Sequence, residues 1–295
     1  MKNTYHLLLI DPQNDFCDVP ASYLITDPLS GRPVLPTLPV PGAHADMQRV
    51  AQLIEQGSEG LDAISITLDA HHRYDIAHPS FWMTHEQREV APFTTISAAA
   101  VRAQQFVPRD HRALPRVLRY LDSLEINGRY QLMVWPVHCE IGTWGHGVHA
   151  DVRAAYNQWE DRHCKPVQKI LKGSNPWTEH YSAVMAEVPD DHDPETQLNQ
   201  SLLENLGAAD RIYIAGEASS HCVKASTEHI VAHCSPADRE KLVLITDCMS
   251  PVAGFEEVHT AFLREMQALG IRLATAEEVR AELIANANAN AIANG

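Results

Sequence analysis

Short apolar runs alternate along this chain with segments whose apolar residues recur every three or four positions, and that alternation restricts the fold more than any other feature. The runs cover residues 5–10, 63–68, 130–135, 167–171, 211–215 and 242–246, with 271–274 as a fainter seventh. Helix-period segments lie between them, at 45–56, 113–124, 152–163, 195–206, 222–233, 256–269 and 276–285. In the first of these, Met47, Val50, Ala51 and Ile54 fall on one face. The strand runs are apolar throughout rather than alternating, so both faces of their sheet are expected to be buried under helices. Strand–helix–strand succession gives right-handed crossovers and parallel pairing. The predicted class is α/β: three layers, α/β/α, around a mainly parallel, Rossmann-like sheet of about six strands.

A length of 295 residues allows one domain or two. The order of the strands favours a single domain over 1–285, interrupted twice. Residues 17–42 carry prolines at 20, 28, 33, 36, 39 and 41 and are expected to form a long ordered loop. Residues 79–129 separate two strands by more than a crossover needs and read as an insertion beside the active site. Residues 286–295, NANANAIANG, form a low-complexity tail expected to fray.

Charge narrows the partners. With 23 Lys+Arg against 38 Asp+Glu the net charge is −15, which repels nucleic acid and anionic membrane surfaces. No apolar run approaches the roughly 18 residues of a membrane span. The start, MKNTYHLLLIDPQNDF, has no small-residue cleavage site and reads as a first strand. The six cysteines, at 17, 139, 164, 222, 234 and 248, form no CxxC pair. They are expected to be reduced thiols in a cytoplasmic protein.

In an open parallel sheet, ligands bind beyond the carboxyl ends of the strands. Five successive strand ends here deliver Asp11, then Asp69 with His71 and His72, then His138 with Cys139, then Lys172, then His221 with Cys222. Cys222 opens a helix, where free N–H groups favour a thiolate and can hold an oxyanion. Most cysteines are inert core residues, and Cys17, Cys164, Cys234 and Cys248 keep that reading, as does Cys139. A buried lysine beside Cys222 is expected to lower its pKa, so Asp11, Lys172 and Cys222 read as proton carrier, cation and nucleophile. Asp69-x-His71 puts two metal-capable side chains on one side of an extended segment, and His138 would complete an open three-ligand face. His72, His78 and His85 compete for that role, and 17 histidines make coincidences certain. No GxxxxGK[ST] or GxGxxG loop supports nucleotide binding, and the Gly-rich 142–147 segment reads as a turn or gate.

Taken in order, LLLIDPQNDF, TLDAHH, WPVHCEIGTWG, ILKGSNPWTEHYSA and GEASSHCVKAS resemble the successive motifs of the isochorismatase-like cysteine hydrolase superfamily, and within it those of nicotinamidases. The resemblance covers residues 5–280 apart from the two insertions. It implies that Asp11, Lys172 and Cys222 are a catalytic triad and that Asp69, His71 and His138 hold a divalent metal, zinc first. It implies that Phe16 and Trp135 contact a substrate ring, with Tyr181 and His221 at the same pocket. It also implies a cis Glu217–Ala218 bond, with the N–H groups of Ala218 and Cys222 facing the carbonyl oxygen. The implied activity is deamination of nicotinamide to nicotinate and ammonia through a Cys222 thioester, in an enzyme expected to self-associate. The sequence departs from the family at Glu217-Ala218-Ser219-Ser220, at His221 in place of an aromatic residue, and in the distance from His71 to His78-Pro-Ser-Phe81. Two other readings stay open: a related hydrolase of another small carboxamide or heterocyclic amide, and a non-catalytic small-molecule binder. The intact Asp11, Lys172 and Cys222 set argues against the binder.

Overall fold

The computed structural model describes residues 3–294. In chain order the elements are β1 (Tyr5–Ile10), α1 (Ala43–Gly57), β2 (Ala63–Asp69), β3 (Trp82–Thr84), β4 (Thr94–Ile96), α2 (Ala98–Arg102), β5 (Phe106–Pro108), α3 (Leu114–Asn127), β6 (Leu132–Val134) and α4 (Ala150–His163). They continue with β7 (Gln168–Lys172), α5 (Gln200–Gly207), β8 (Arg211–Gly216), α6 (Cys222–His233), α7 (Pro236–Arg239), β9 (Leu242–Ile245), α8 (Glu256–Ala268), β10 (Arg272–Ala274) and α9 (Ala276–Asn294). Six strands make one sheet in the order β10-β9-β8-β1-β2-β7, parallel throughout. Leu7, Leu8, Leu9 and Ile10 are fully buried, as an unalternating apolar strand requires.

The chain steps from β1 to β2 to β7 in one direction, then returns to β8 and steps through β9 to β10 in the other. Right-handed crossovers running in opposite directions put their helices on opposite faces, so α1 and α4 cover one side while α5, α6 and α8 cover the other. Helix α1 packs on α4 and α9, α6 on β8, and α8 on β10. The reversal falls between β1 and β8, and a ligand crevice forms at such a switch point. Among the described residues no helix is long and apolar enough to cross a membrane.

Three expectations are corrected. The run 130–135 is not a strand of the central sheet: only Leu132–Val134 is extended, and it pairs antiparallel with β4. The position beside β2 is taken by β7. The 79–129 insertion builds its own apolar cluster around Phe81, Trp82, Val117 and Leu121, which draws β6 in. The tail is helical through Asn294, with Gly295 outside the described residues. Its alanines favour helix, and docking on α1 holds it, with the Asn286 amide donating to the Gly60 carbonyl at 3.1 Å. Helix α5 starts at Gln200 rather than 195, because Asn199 caps it by accepting from the Leu202 N–H at 3.0 Å. The 17–42 arm is a loop with one short turn at Ala21–Tyr23, tied down by hydrogen bonds from Leu38 N–H to Asp15 O and from Val40 N–H to Phe16 O.

Gly216 closes β8 at a φ of 122°, and a Cβ there would lie 2.0 Å from the Ile10 carbonyl oxygen. Only glycine lets β1 and β8 approach so closely at the switch point. Gly216→Ala is expected to cost about 3 kcal/mol or more of stability by urea denaturation. Unchanged stability would mean that the strands can separate there at little cost.

Candidate active site

The sheet register assembles the centre. Asp69 and Lys172 are paired residues at the ends of neighbouring strands β2 and β7. Asp11 follows β1 with a left-handed φ of 44°, and Cys222 begins α6 beyond β8. The Lys172 ammonium, with its side chain almost wholly buried, lies 2.8 Å from Asp11 Oδ2, 3.0 Å from Asp69 Oδ1 and 3.5 Å from Cys222 Sγ, and donates to the His180 carbonyl at 3.1 Å. Asp11, Asp69 and Cys222 each place one atom within 4.8 Å of the other two. The cation at the heart of that acidic group is Lys172 itself. Thr67 Oγ donates to Asp11 Oδ1 at 2.5 Å and accepts from the Asp11 N–H at 3.0 Å, which fixes the carboxylate.

Burial and charge set the protonation states. Burial opposes the charge on Lys172, but Asp11, Asp69 and Cys222 outweigh it and hold the ammonium well above its ordinary pKa. Burial pushes the Asp11 carboxyl up, against the pull of Lys172. Burial acts the same way on Asp69, but His71 and Lys172 prevail and keep it well below the usual carboxylate range. The Cys222 thiol departs from the sequence expectation. Lys172 does lower it, yet burial wins, assisted by Asp11 and Asp69, and the thiol ends well above its ordinary value. It is therefore a protonated thiol with a carboxylate of raised basicity within reach.

The turn before Cys222 contains the cis Glu217–Ala218 bond. Among the described residues neither the Ala218 N–H nor the Cys222 N–H is claimed by a protein acceptor. Ala218 and Cys222 both line one pocket. Phe16, Trp135, Tyr181 and His221 line it as well, together with Leu38, Glu179 and Val252. Trp135 Nε1 donates to the Tyr181 hydroxyl at 3.0 Å and holds both rings in place.

Next to the pocket, Asp69 Oδ2 is 3.1 Å from His71 Nε2 and 3.3 Å from His138 Nε2. His71 Nδ1 lies 3.2 Å from Asp75 Oδ2, and His138 Nδ1 lies 2.8 Å from the Pro136 carbonyl. Each Nδ1 thus faces an acceptor, and each Nε2 faces the Asp69 carboxylate. His71 Nε2 is buried and, among the described residues, has no well-aligned hydrogen bond despite Asp69 Oδ2 at 3.1 Å. Burial disfavours charge on His71, but Asp69 and Asp75 hold the imidazole well above its usual pKa. A buried ring nitrogen facing the Asp69 carboxylate fits a divalent cation, and one carboxylate with two imidazoles suits zinc. His138 reaches this place although its strand left the sheet. The 135–141 segment is held by hydrogen bonds from Trp135 N–H to Ala77 O, His71 N–H to Cys139 O and Ile141 N–H to His71 O.

Of the competing histidines, His78 offers a nitrogen within 4.8 Å of those of His71 and His138, and its Nε2 faces His138 Nδ1 at 3.3 Å. His72 is exposed and stands outside this group, as does His85. Gln13 brackets Asp69 by accepting from its N–H and donating to its carbonyl, both at 2.7 Å. Glu179 was missed outright. Burial raises its carboxyl to about 7, and its Oε2 has no partner. Its position between Lys172 and Tyr181 was the available signal. Cys139 is fully buried and absent from the pocket wall, and all six cysteines are free thiols.

With this geometry in view, the chain was compared with known proteins. No family model matches it. It is similar in sequence to the nicotinamidase of Saccharomyces cerevisiae, 26% identical over 268 residues, which is 90% of this chain and 97% of the relative. The yeast nicotinamidase structure bound to the inhibitor nicotinaldehyde superposes with a TM-score of 0.58 at 19% identity, over 92% of this chain and 100% of that one. An Acinetobacter baumanii nicotinamidase/pyrazinamidase structure gives 0.59 at 20% identity, over 95% and 99%. A Pyrococcus horikoshii pyrazinamidase in complex with zinc gives 0.50 at 18%, over 92% and 98%. The likeness bears out the resemblance carried by the five motifs and the α/β fold that it implies.

Because the Cys222 thiol is held up, alkylation by iodoacetamide should be slow at neutral pH and rise only above about pH 9, the ordinary thiol range. Peptide mapping after timed quenching reads this rate. Lys172→Met removes the one influence that lowers the thiol and should slow alkylation further. A fast reaction at pH 7 would show a stable thiolate and refute the assignment.

Proposed function

We propose that this protein is a cysteine amidohydrolase that deaminates nicotinamide to nicotinate and ammonia. An amidohydrolase is supported by the sequence likeness to a nicotinamidase and by the fold it shares with such enzymes. The observation that carries the reading is the single cluster in which Lys172 touches Asp11, Asp69 and Cys222 beneath two unclaimed N–H groups.

Chemistry follows from these positions. Asp11 takes the Cys222 proton as sulfur attacks the carboxamide carbon, and Lys172 keeps the excess negative charge tolerable in a buried site. The tetrahedral oxyanion is held by the N–H groups of Ala218 and Cys222. Asp11 returns the proton to nitrogen, ammonia leaves, and a thioester remains on Cys222. Water then adds to the thioester, Asp11 accepts its proton, and collapse releases the carboxylic acid product and restores the thiol. Phe16, Trp135 and Tyr181 enclose the ring and exclude bulk water. Asp69, His71 and His138 would hold a divalent metal, zinc by donor type, with His78 beside them. When bound, that ion supplies a Lewis-acid site for a ring nitrogen. Free thiols throughout suit a cytoplasmic setting.

One observation favours a second reading, in which the substrate is another small heteroaromatic amide. The pocket wall carries Glu179 and His221, polar groups that an unsubstituted pyridine ring does not use fully.

The deciding experiment is incubation of zinc-loaded protein with nicotinamide, with ammonia and nicotinate quantified. Release of both is expected, and Cys222→Ala should lower it about 10³-fold or more. Ammonia from other carboxamides but none from nicotinamide would select the second reading, and none from any would refute both. Separately, Asp75→Ala should weaken zinc affinity about 10- to 100-fold in a chelator competition, because Asp75 orients His71. Unchanged affinity would remove His71 from the ligand set.

A further inference from the structure

Glu217 sets this chain apart in the turn before the nucleophile, and the chemistry above gives it no task. Glu217 and Asp46 of α1 are both buried. Ser250 joins them: its N–H donates to Glu217 Oε2 at 3.2 Å and its hydroxyl to Asp46 Oδ2 at 2.6 Å. Asp46 has a cation, with Arg49 Nη2 2.5 Å from its Oδ1, whereas among the described residues Glu217 forms no ion pair. Glu217 Oε1 meets no donor among the described residues, and the Asp46 carboxyl stands within hydrogen-bonding reach of the Glu217 side chain. Two carboxyl groups bond to each other only by sharing a proton.

That proton belongs to Glu217. Burial first, then the Asp46 charge, pushes its carboxyl well above the usual range, against the pull of the Ser250 N–H. The groups facing the pair are Asp46 and Arg49 on α1, Cys17 and Asp18 on the 17–42 arm, Asp247 and Cys248 after β9, and His259 on α8. Arg49 is the permanent cation of that group, and it is engaged by Asp46.

The pair stands at the root of the turn. The peptide joining Glu217 to Ala218 carries the Ala218 N–H, one of the two unclaimed donors at the pocket. Ser219 N–H donates to the Ser250 carbonyl at 2.9 Å, so Ser250 grips the residues before and after Ala218. We propose that Glu217 is a positioning residue: as a neutral acid it donates the proton it shares with Asp46, and this bond, together with the one from Ser250, fixes the peptide plane whose N–H receives the oxyanion. The proposal rests on the amidohydrolase reading above and adds a group that limits it at alkaline pH. A carboxyl with a raised pKa is neutral below that pKa, so the anchor is intact at neutral pH and is lost as pH rises through it. Once ionised, Glu217 faces the Asp46 charge with no proton between them, and repulsion frees the turn.

The test reads the proton and the turnover separately. An infrared difference spectrum of the zinc-loaded protein minus Glu217→Gln at pH 7 should show the carbonyl band of one neutral carboxylic acid. Other carboxyls that burial raises, those of Asp11, Glu179 and Glu187, cancel in the subtraction. Glu217→Gln keeps both bonds, accepting from Ser250 and donating to Asp46, and cannot ionise. With nicotinamide its kcat should stay within about threefold of the unaltered protein, whereas Glu217→Ala should lower kcat about 10- to 100-fold with KM within about twofold, less than the outright loss of an oxyanion donor. As pH rises, kcat of the unaltered protein should fall in step with the acid band, and Glu217→Gln should lack that fall. Should Glu217→Ala fail to fold, the infrared band and the pH profile of Glu217→Gln decide the matter. No acid band at pH 7, a kcat that outlasts the band, or a Glu217→Gln variant as impaired as Glu217→Ala overturns the proposal while leaving the amidohydrolase intact. No ammonia from nicotinamide or any other carboxamide overturns that reading and this proposal with it.

Discussion

The structure turns on one buried charge. Removing an ammonium from water costs several kcal/mol, and Lys172 recovers this only because two carboxylates and a backbone carbonyl meet it at bonding distance. The carboxylates come from β1 and β2, and the lysine from β7, three adjacent strands in parallel register. A slip of one residue on any of them would turn a charged group into the apolar layer or leave Lys172 unpaired. The ion cluster is thus a constraint on the sheet as much as a feature of the site. Deleting one carboxylate would leave an uncompensated charge, which costs more than the pair contributes.

That constraint divides the labour among residues of similar type. Asp11 and Asp69 flank the same ammonium, yet Asp69 also faces two imidazoles and stays ionised, while Asp11 has only Lys172 and Thr67 to oppose its burial. That difference suits the two roles proposed for them, ligand for Asp69 and base for Asp11. The same dryness keeps Cys222 protonated, so the proposed mechanism couples attack to proton transfer rather than relying on a standing thiolate.

Much of this could be read from the sequence, for identifiable reasons. Apolar runs buried on both faces announce a parallel sheet, and polar residues just beyond them fall at its carboxyl edge, so Asp11, Asp69, Lys172 and Cys222 are found by position alone. Properties that depend on distant pairing were not legible. The run at 130–135 looks like any central strand, but its partner is Thr94–Ile96, inside the insertion. Glu179 and Asp75 matter because of what they face, and nothing in their immediate neighbours reveals it. The direction of the Cys222 shift depended on weighing burial against one cation, and local charge pattern suggests the opposite sign. The Ala/Asn tail has too little amphipathic pattern to read as a helix, and Gly60, lacking a side chain, makes room for it at Leu283.

The second apolar cluster bears on how the molecule opens. Phe81, Trp82, Val117, Leu121 and Val134 pack with one another rather than with the sheet core of Leu7 to Ile10 and Ile212 to Ala215. Regions packed in separate clusters open locally at different free energies, which amide hydrogen exchange reads. Trp135 belongs to the larger cluster with Cys222 and meets the insertion through Phe93, at 5.8 Å between ring centroids. Local opening of the smaller cluster would bare the Phe93 side of Trp135 while Asp11, Lys172 and Cys222 stay in register with the sheet.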